Sequence, residues 1–332
     1  AENIWWSITH THSSPYVGSP GVPVLFMPNR FEFPVEEGYT ALVETALADG
    51  VRQARQKLAP ARLGIGRGYA EANMNRRARD ADGQVRLGLN PFGAVDRRIG
   101  LVRLEKADGT PLALLANYAM HGTVLGGTST VVSADGPGAI AEYVEEKTGA
   151  AMLYLNSAAG NIASLYSTRA EAEIKLLGRF KVLLGDPILE ANRRLGATTA
   201  EVKLRASRII VETPKRPGLA WSDELKEYLR VADDGTETLL VPLRFLRIND
   251  DTVLWSAPLE LFCEISNEIR DRSPFANTFY VGYTNGTFCY LPSEQEYLAG
   301  GYEAATTSFT ASAAGDLSAA VNRHLQAIHA AP

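Results

Sequence analysis

Two of the five histidines in this 332-residue chain stand one residue apart, in Thr9-His10-Thr11-His12-Ser13. An imidazole can hold a metal or move a proton near neutral pH. The run ahead of them, Ile4-Trp5-Trp6-Ser7-Ile8, reads as a strand, and residues i and i+2 of a strand point to one side. If the strand continues through His12, both rings face one pocket. If it stops near His10, they stand at a strand end, where α/β folds place ligands. The plainer alternative is a pair of solvated histidines. Three other apolar runs deliver partners. Pro111 to Tyr118 leads into Met120-His121-Gly122, Thr252 to Ser256 into Pro258-Leu259-Glu260, and Thr278 to Tyr283 into a turn carrying Tyr290. Two histidines and a carboxylate are ordinary ligands of zinc, which keeps one position for water when it is catalytic. A tyrosine can complete or flank such a site. Each residue also has a structural alternative. His121 fits a satisfied core histidine, Glu260 a first-turn helix acid, Tyr290 a packed aromatic and Asp135 a helix N-cap. Their recurrence at successive strand ends favours a site.

The elements that must position them alternate, which predicts an α/β fold, a mixed sheet flanked by helices with the site at strand ends. Tyr39 to Leu58 has apolar residues at helical spacing, from Leu42 and Val43 to Ala54 and Leu58. Asp135-Gly136-Pro137 looks like a helix start with proline in the first turn. Ala151 to Leu155 is a short strand ending in Asn156-Ser157-Ala158-Ala159-Gly160-Asn161, and residues 170–195 read as helical with breaks at Gly178 and Gly185-Asp186-Pro187. Strands are expected over Val202 to Glu212 and Leu239 to Ile248, with residues 213–238 as a surface excursion between them. A helix to about Arg270 follows Glu260. Ser293-Glu294-Gln295-Glu296 has capping-box spacing. Leu317 to Ala330 reads as a terminal amphipathic helix with His324 and His329 on its surface.

Hydrophobic residues make up 45% of the chain and charged residues 21%, with a formal net charge of −5. That balance suits a folded domain, and without a basic block nucleic acid is an unsuitable partner. No apolar run approaches the roughly 18 residues that cross a bilayer. Cys263 and Cys289 form no disulfide framework and lack zinc-finger spacing, although they could pair or meet at a site. The chain opens at Ala1 almost directly on its first motif, with no visible signal peptide, which fits a processed or truncated N-terminus.

The ordered motifs resemble the catalytic domain of the neutral/alkaline (non-lysosomal) ceramidases, nearest its short single-domain bacterial relatives. The resemblance runs from Thr9-His10-Thr11-His12-Ser13-Ser14-Pro15 through Asn75-Arg76-Arg77, Asn117-Tyr118-Ala119-Met120-His121 and Ser133-Ala134-Asp135-Gly136-Pro137-Gly138. It continues with Asn156 to Asn161, Pro258-Leu259-Glu260-Leu261-Phe262, Gly282-Tyr283-Thr284-Asn285, Tyr290 and Tyr302-Glu303. In all it covers roughly residues 1 to 305, and the first motif and the block from Asn285 to Glu303 are its most specific parts. It implies zinc held by His10, His121, Glu260 and Tyr290, with Phe288 and Tyr290 competing for the tyrosine position. His12 would be a histidine outside the ligand set or an acid/base group, and Arg76 or Arg77 would lie near the substrate and stabilise an oxyanion.

Four departures accompany the resemblance. The family's proposed catalytic serine falls at Ala163, and Ser164 comes one residue late, so in an extended segment it points the other way. Leu259 stands where glycine is common. Sequence that usually precedes the histidine motif is missing, as is a C-terminal immunoglobulin-like domain. The expectation is therefore one ceramidase-like catalytic domain over residues 1–332, lacking an N-terminal portion that supplies part of the family's sheet. It would be a zinc-dependent hydrolase of an amide in a small-molecule or lipid-amide substrate, with His12 or Asp135 moving the proton. The resemblance leans towards a secreted or periplasmic protein. The alternatives are an esterase or lactonase of a small polar substrate, a non-catalytic metal- or ligand-binding domain without the serine, and half of a larger assembly.

Overall fold

A computed structural model describes residues 4–17, 37–167 and 174–331. The first 14 of these do not form the expected strand. The segment is irregular, touching the rest of the molecule through isolated bridges from Ser7 to Thr284 and from Thr11 to Gly122. His10 takes a left-handed φ of 62°, which ends any strand geometry at that residue. Helix α1 (Glu37–Gln56) follows, with no buried residue, so Leu42, Leu47 and Val51 on its apolar positions remain exposed.

The next strands are β1 (Arg62–Tyr69), β2 (Asn73–Arg79), β3 (Val85–Asn90), β4 (Arg98–Glu105) and β5 (Pro111–Tyr118). Helix α2 (Asp135–Thr148) leads to β6 (Ala151–Asn156) and the short β7 (Ile162–Ser164). Strands β1, β4, β5 and β6 form one sheet in that order, with only the β5–β6 pair parallel. Leu114, Ala116 and Tyr118 of β5 point to one face, where they meet Ile140 and Val144 of α2 and Leu184 and Ile188 beyond it. The helical stretch expected over 170–195 begins outside the described residues. From Leu177 it runs without a break as α3 (Leu177–Phe180), a π-turn over Lys181–Gly185, and α4 (Asp186–Arg194). Gly185 is absorbed in the π-turn and Pro187 sits in the first turn of α4, where a missing N–H costs nothing.

A second sheet is built from β8 (Leu204–Pro214), β9 (Leu229–Val231), β10 (Glu237–Ile248), β11 (Thr252–Ser256) and, after β12 (Glu260–Leu261) and α5 (Cys263–Arg272), β13 (Asn277–Val281). Its order is β13-β11-β10-β8, with β9 beside β10 and only β11–β13 parallel. The alternation on β10 buries Leu239, Val241, Leu243 and Phe245 against α5 and the terminal helix α8 (Ala313–Ala330), after β14 (Tyr290–Leu291), α6 (Glu294–Leu298) and α7 (Tyr302–Ala305). The remaining faces of the two sheets meet along a thin apolar seam of Leu63, Leu155, Leu254, Phe279 and Val281. Close approach there needs Gly100, because a β-carbon on it would lie 2.5 Å from the Phe279 ring. The fold is thus mixed α/β, layered helix, sheet, sheet, helix.

Three local expectations need revision. Residues 213–238 are more than a surface excursion. Trp221, Leu225, Tyr228 and Leu229 pack on the core, and buried Lys215 pairs with Glu237 at 2.9 Å, because β9 pulls the segment onto β10. Ser293 precedes α6 as expected but does not cap it, since its hydroxyl donates to Glu264 at 2.9 Å. His324 is half-buried, lying against Phe245 and hydrogen-bonded to Ser207 at 2.8 Å.

Candidate metal centre

The C-terminal ends of the two parallel strand pairs converge. His121 follows β5, Asn156 closes β6, Glu260 follows β11 and Tyr283 follows β13. The irregular N-terminal segment lies across them. His12 N–H donates to the Gly122 carbonyl at 3.0 Å. This approach demands glycine, because a β-carbon on Gly122 would lie 2.8 Å from the His10 carbonyl. Gly160 serves Glu260 in the same way. A β-carbon there would come within 2.3 Å of the Glu260 carbonyl, and the Gly160 N–H donates to Leu261 at 2.9 Å.

His10, His12 and His121 each offer a ring nitrogen, and the three atoms lie within 4.8 Å of one another. The two Nε2 atoms of His10 and His12 are 3.1 Å apart. Glu260 Oε2 stands 3.4 Å from His10 Nε2 and 3.3 Å from His121 Nε2. The His121 ring is fully buried and its Nδ1 lies 3.0 Å from the Ile162 carbonyl. A carbonyl only accepts, so Nδ1 carries the proton and Nε2 presents a lone pair. Among the described residues, neither that Nε2 nor Glu260 Oε2 has a hydrogen-bond partner. Burial first, and then the Arg76 charge, lower the His121 pKa to about 3. A buried carboxylate facing neutral imidazole lone pairs is a set of donors that a cation would satisfy. The residues therefore fit a metal ion.

Arg76 reaches the site from β2. Its Nη2 donates to the Tyr290 hydroxyl at 3.1 Å and its Nε to Glu303 at 2.8 Å. Burial opposes its charge, but Tyr290, Glu303 and Glu260 outweigh this and raise its pKa. Tyr290 is set beside Glu260 by the β12–β14 pairing. Phe288 faces elsewhere, against Trp221 and Tyr228. Arg77, the other arginine of the motif, is spent on structure. It donates to Glu303 and Glu296 at 2.6 Å each and to the Gly300 carbonyl at 2.7 Å.

The Asp135 carboxylate, expected as a proton carrier, is engaged by backbone. It accepts from the backbone N–H groups of Val124 and Leu125, both at 2.9 Å, and of Gly136 at 2.6 Å. It fixes the loop after His121 and does not cap α2 by the expected route, since the N-cap position is Ala134. Ala163 pairs with Met74 and Ser164 with Asn73, so Ala163 shares a face with Met74 and Arg76, and buried Ser164 points away. Cys263 and Cys289 form no disulfide with one another.

Two residues carry more of this site than their sequence positions suggested. Glu303 bridges Arg76 and Arg77. Tyr283 stacks on His10, with ring centroids 4.2 Å apart and an interplanar angle of 20°. Both stood inside quoted motifs, but nothing in their spacing gave them a task. Strained backbone marks the same place. Among the described residues, four of the six non-glycine positions with positive φ are His10, Tyr283, Asn285 and Cys289.

Fold and site define an α/β protein with a three-histidine, one-carboxylate centre at the convergence of two sheets, closed around His121 and Glu260 and open at His12. The chain belongs to the neutral/alkaline non-lysosomal ceramidase family, whose N-terminal region model matches residues 1–171. Among solved structures, the neutral ceramidase from Pseudomonas aeruginosa superposes with a TM-score of 0.74 at 16% identity, covering 98% of this chain and 61% of that one. A ceramidase complexed with C2 gives 0.70 at 17% identity, over 97% and 60%. This chain therefore spans about three-fifths of the length of those two proteins, and at such identity the likeness is one of fold. No curated protein matches the sequence.

Proposed function

We propose that the protein is a zinc-dependent hydrolase that cleaves the amide bond of an N-acyl, lipid-like substrate with water. The observation that carries this reading is the buried donor set itself. His121 Nε2 and Glu260 Oε2 are unpartnered and 3.3 Å apart, beside two more imidazoles, in a member of a ceramidase family. His10, His121 and Glu260 would hold the ion, with Tyr290 flanking them. Bound zinc lends acidity to water and polarises a carbonyl. His12, the most exposed of the three rings, would take the proton at Nε2. Arg76, fixed by Glu303, donates to negative charge developing on the carbonyl oxygen. Family membership supports an amide as the bond. A secreted or periplasmic location is part of the same reading.

Elemental analysis of the purified protein beside His121→Ala tests the centre. The expected result is close to one zinc per chain, lost in the variant. Full zinc in both proteins would refute the ligand set. A panel of N-acyl amides and esters, with and without a chelator, then tests the reaction. Ala163 on the Arg76 face favours one rival, a domain that binds metal and ligand without turnover. Chelator-sensitive hydrolysis of any panel substrate rejects it.

A further inference from the structure

Tyr283 carries two costs that a purely structural tyrosine has no reason to bear, and one contact that ties it to the centre. Its backbone lies in the left-handed region, with φ of 53°, an uncommon conformation for a bulky residue. The segment is held there from both sides. Gly282 N–H donates to Asn156 at 2.9 Å, and Thr284 N–H to Ala257 at 3.1 Å. The side chain is 2% exposed, yet its hydroxyl has no hydrogen-bond partner among the described residues. A buried hydroxyl left unpaired is destabilising, and phenylalanine would fill the same space without that cost. The ring is also committed to the metal centre by its stack on His10. The neighbouring tyrosine offers a contrast, since the Tyr290 hydroxyl is already engaged by Arg76.

We infer that the Tyr283 hydroxyl is a substrate-binding group, which donates a hydrogen bond to the acyl carbonyl oxygen of the bound amide and to the carboxylate of the released acid. The inference rests on the amide-hydrolase reading for the substrate, and on the geometry of Tyr283 alone for the hydroxyl. Tyr283 makes this contact directly. Through its ring it also sets the orientation of the His10 imidazole.

Tyr283→Phe keeps the ring and the stack and removes only the hydroxyl. Metal-loaded wild type and variant are compared by thermal unfolding, by metal content, by calorimetric titration with octanoate as a product-like carboxylate, and by hydrolysis of an N-octanoyl amide. The expected variant has unchanged metal content and an unfolding midpoint equal to or above wild type. It binds octanoate about tenfold more weakly and loses about tenfold or more in kcat/KM, the scale of one hydrogen bond to a charged or developing oxyanion. A clear drop in the unfolding midpoint would overturn the inference by making the hydroxyl structural. Octanoate that binds both proteins equally, or neither, would overturn it as well. If wild type hydrolyses nothing, the amide reading fails, and the octanoate titration still decides Tyr283.

Discussion

Burial of His121 gives the metal-free protein an acid weakness. The His121 ring is pushed down to about 3, while an unfolded chain protonates it near the ordinary value of about 6.5. Below that value the unfolded state binds more protons, so stability is full at neutral pH and declines as pH falls towards 3. The unfolding midpoint of metal-stripped protein should therefore drop between pH 7.5 and pH 5, and His121→Gln should flatten part of that slope. A second prediction concerns Arg76. Its Nε and Nη2 reach Glu303 and Tyr290 together, which a single ammonium cannot do. Arg76→Lys should retain zinc and lose about tenfold or more in amide hydrolysis, read as kcat/KM. That His10, His121 and Glu260 come together was legible from their places after apolar runs and from the family resemblance, and the structure sets them within 3.4 Å of one another through Glu260. Residue type could not separate Arg76 from Arg77, or show that the Asp135 oxygens are taken by three backbone amides. Those assignments depend on which backbone folds around the side chain, and local sequence carries no such signal.

Strands whose apolar runs are buried on one or both faces were readable as strands. β5, β6, β10 and β11 lie close to where their patterns predict. The N-terminal segment was not, because it makes only isolated bridges and Trp5 and Trp6 imitate a strand's composition without a neighbouring ladder. Its two histidines still converge, through the left-handed turn at His10 rather than by strand alternation. The glycines that seat the connecting elements allow a paired test. At Gly160 a β-carbon would meet the Glu260 carbonyl at 2.3 Å, whereas at Gly178 in α3 it meets nothing within 4 Å. Gly160→Ala should destabilise by about 1–3 kcal/mol and weaken metal retention, since backbone must move beside Glu260. Gly178→Ala should be neutral or stabilise by roughly 0.4–1 kcal/mol. Urea unfolding of the two variants measures both.

Across the whole molecule, the donor set joins three parts that are distant in sequence: the irregular N-terminal segment through His10, the first sheet through His121 and the second through Glu260. An ion that binds only this folded arrangement raises its stability by mass action. Zinc added to metal-free protein should raise the unfolding midpoint with concentration, and His10→Ala should abolish the increase. The N-terminal segment itself hangs on Asn285. The Asn285 side chain accepts from Trp6 N–H at 2.9 Å and donates to Ile4 at 3.1 Å, while its own N–H donates to Trp6 at 2.9 Å. That clasp spans nearly 280 residues of sequence, and such contacts close late in folding because their loop entropy is lost before they are rewarded. Metal capture through His10 therefore depends on this clasp, together with the His12 bond to Gly122 that seats the segment beside the site. In amide exchange, the residues around Trp6 should open and re-form on their own clock, faster than β10, with zinc slowing the one and leaving the other nearly untouched.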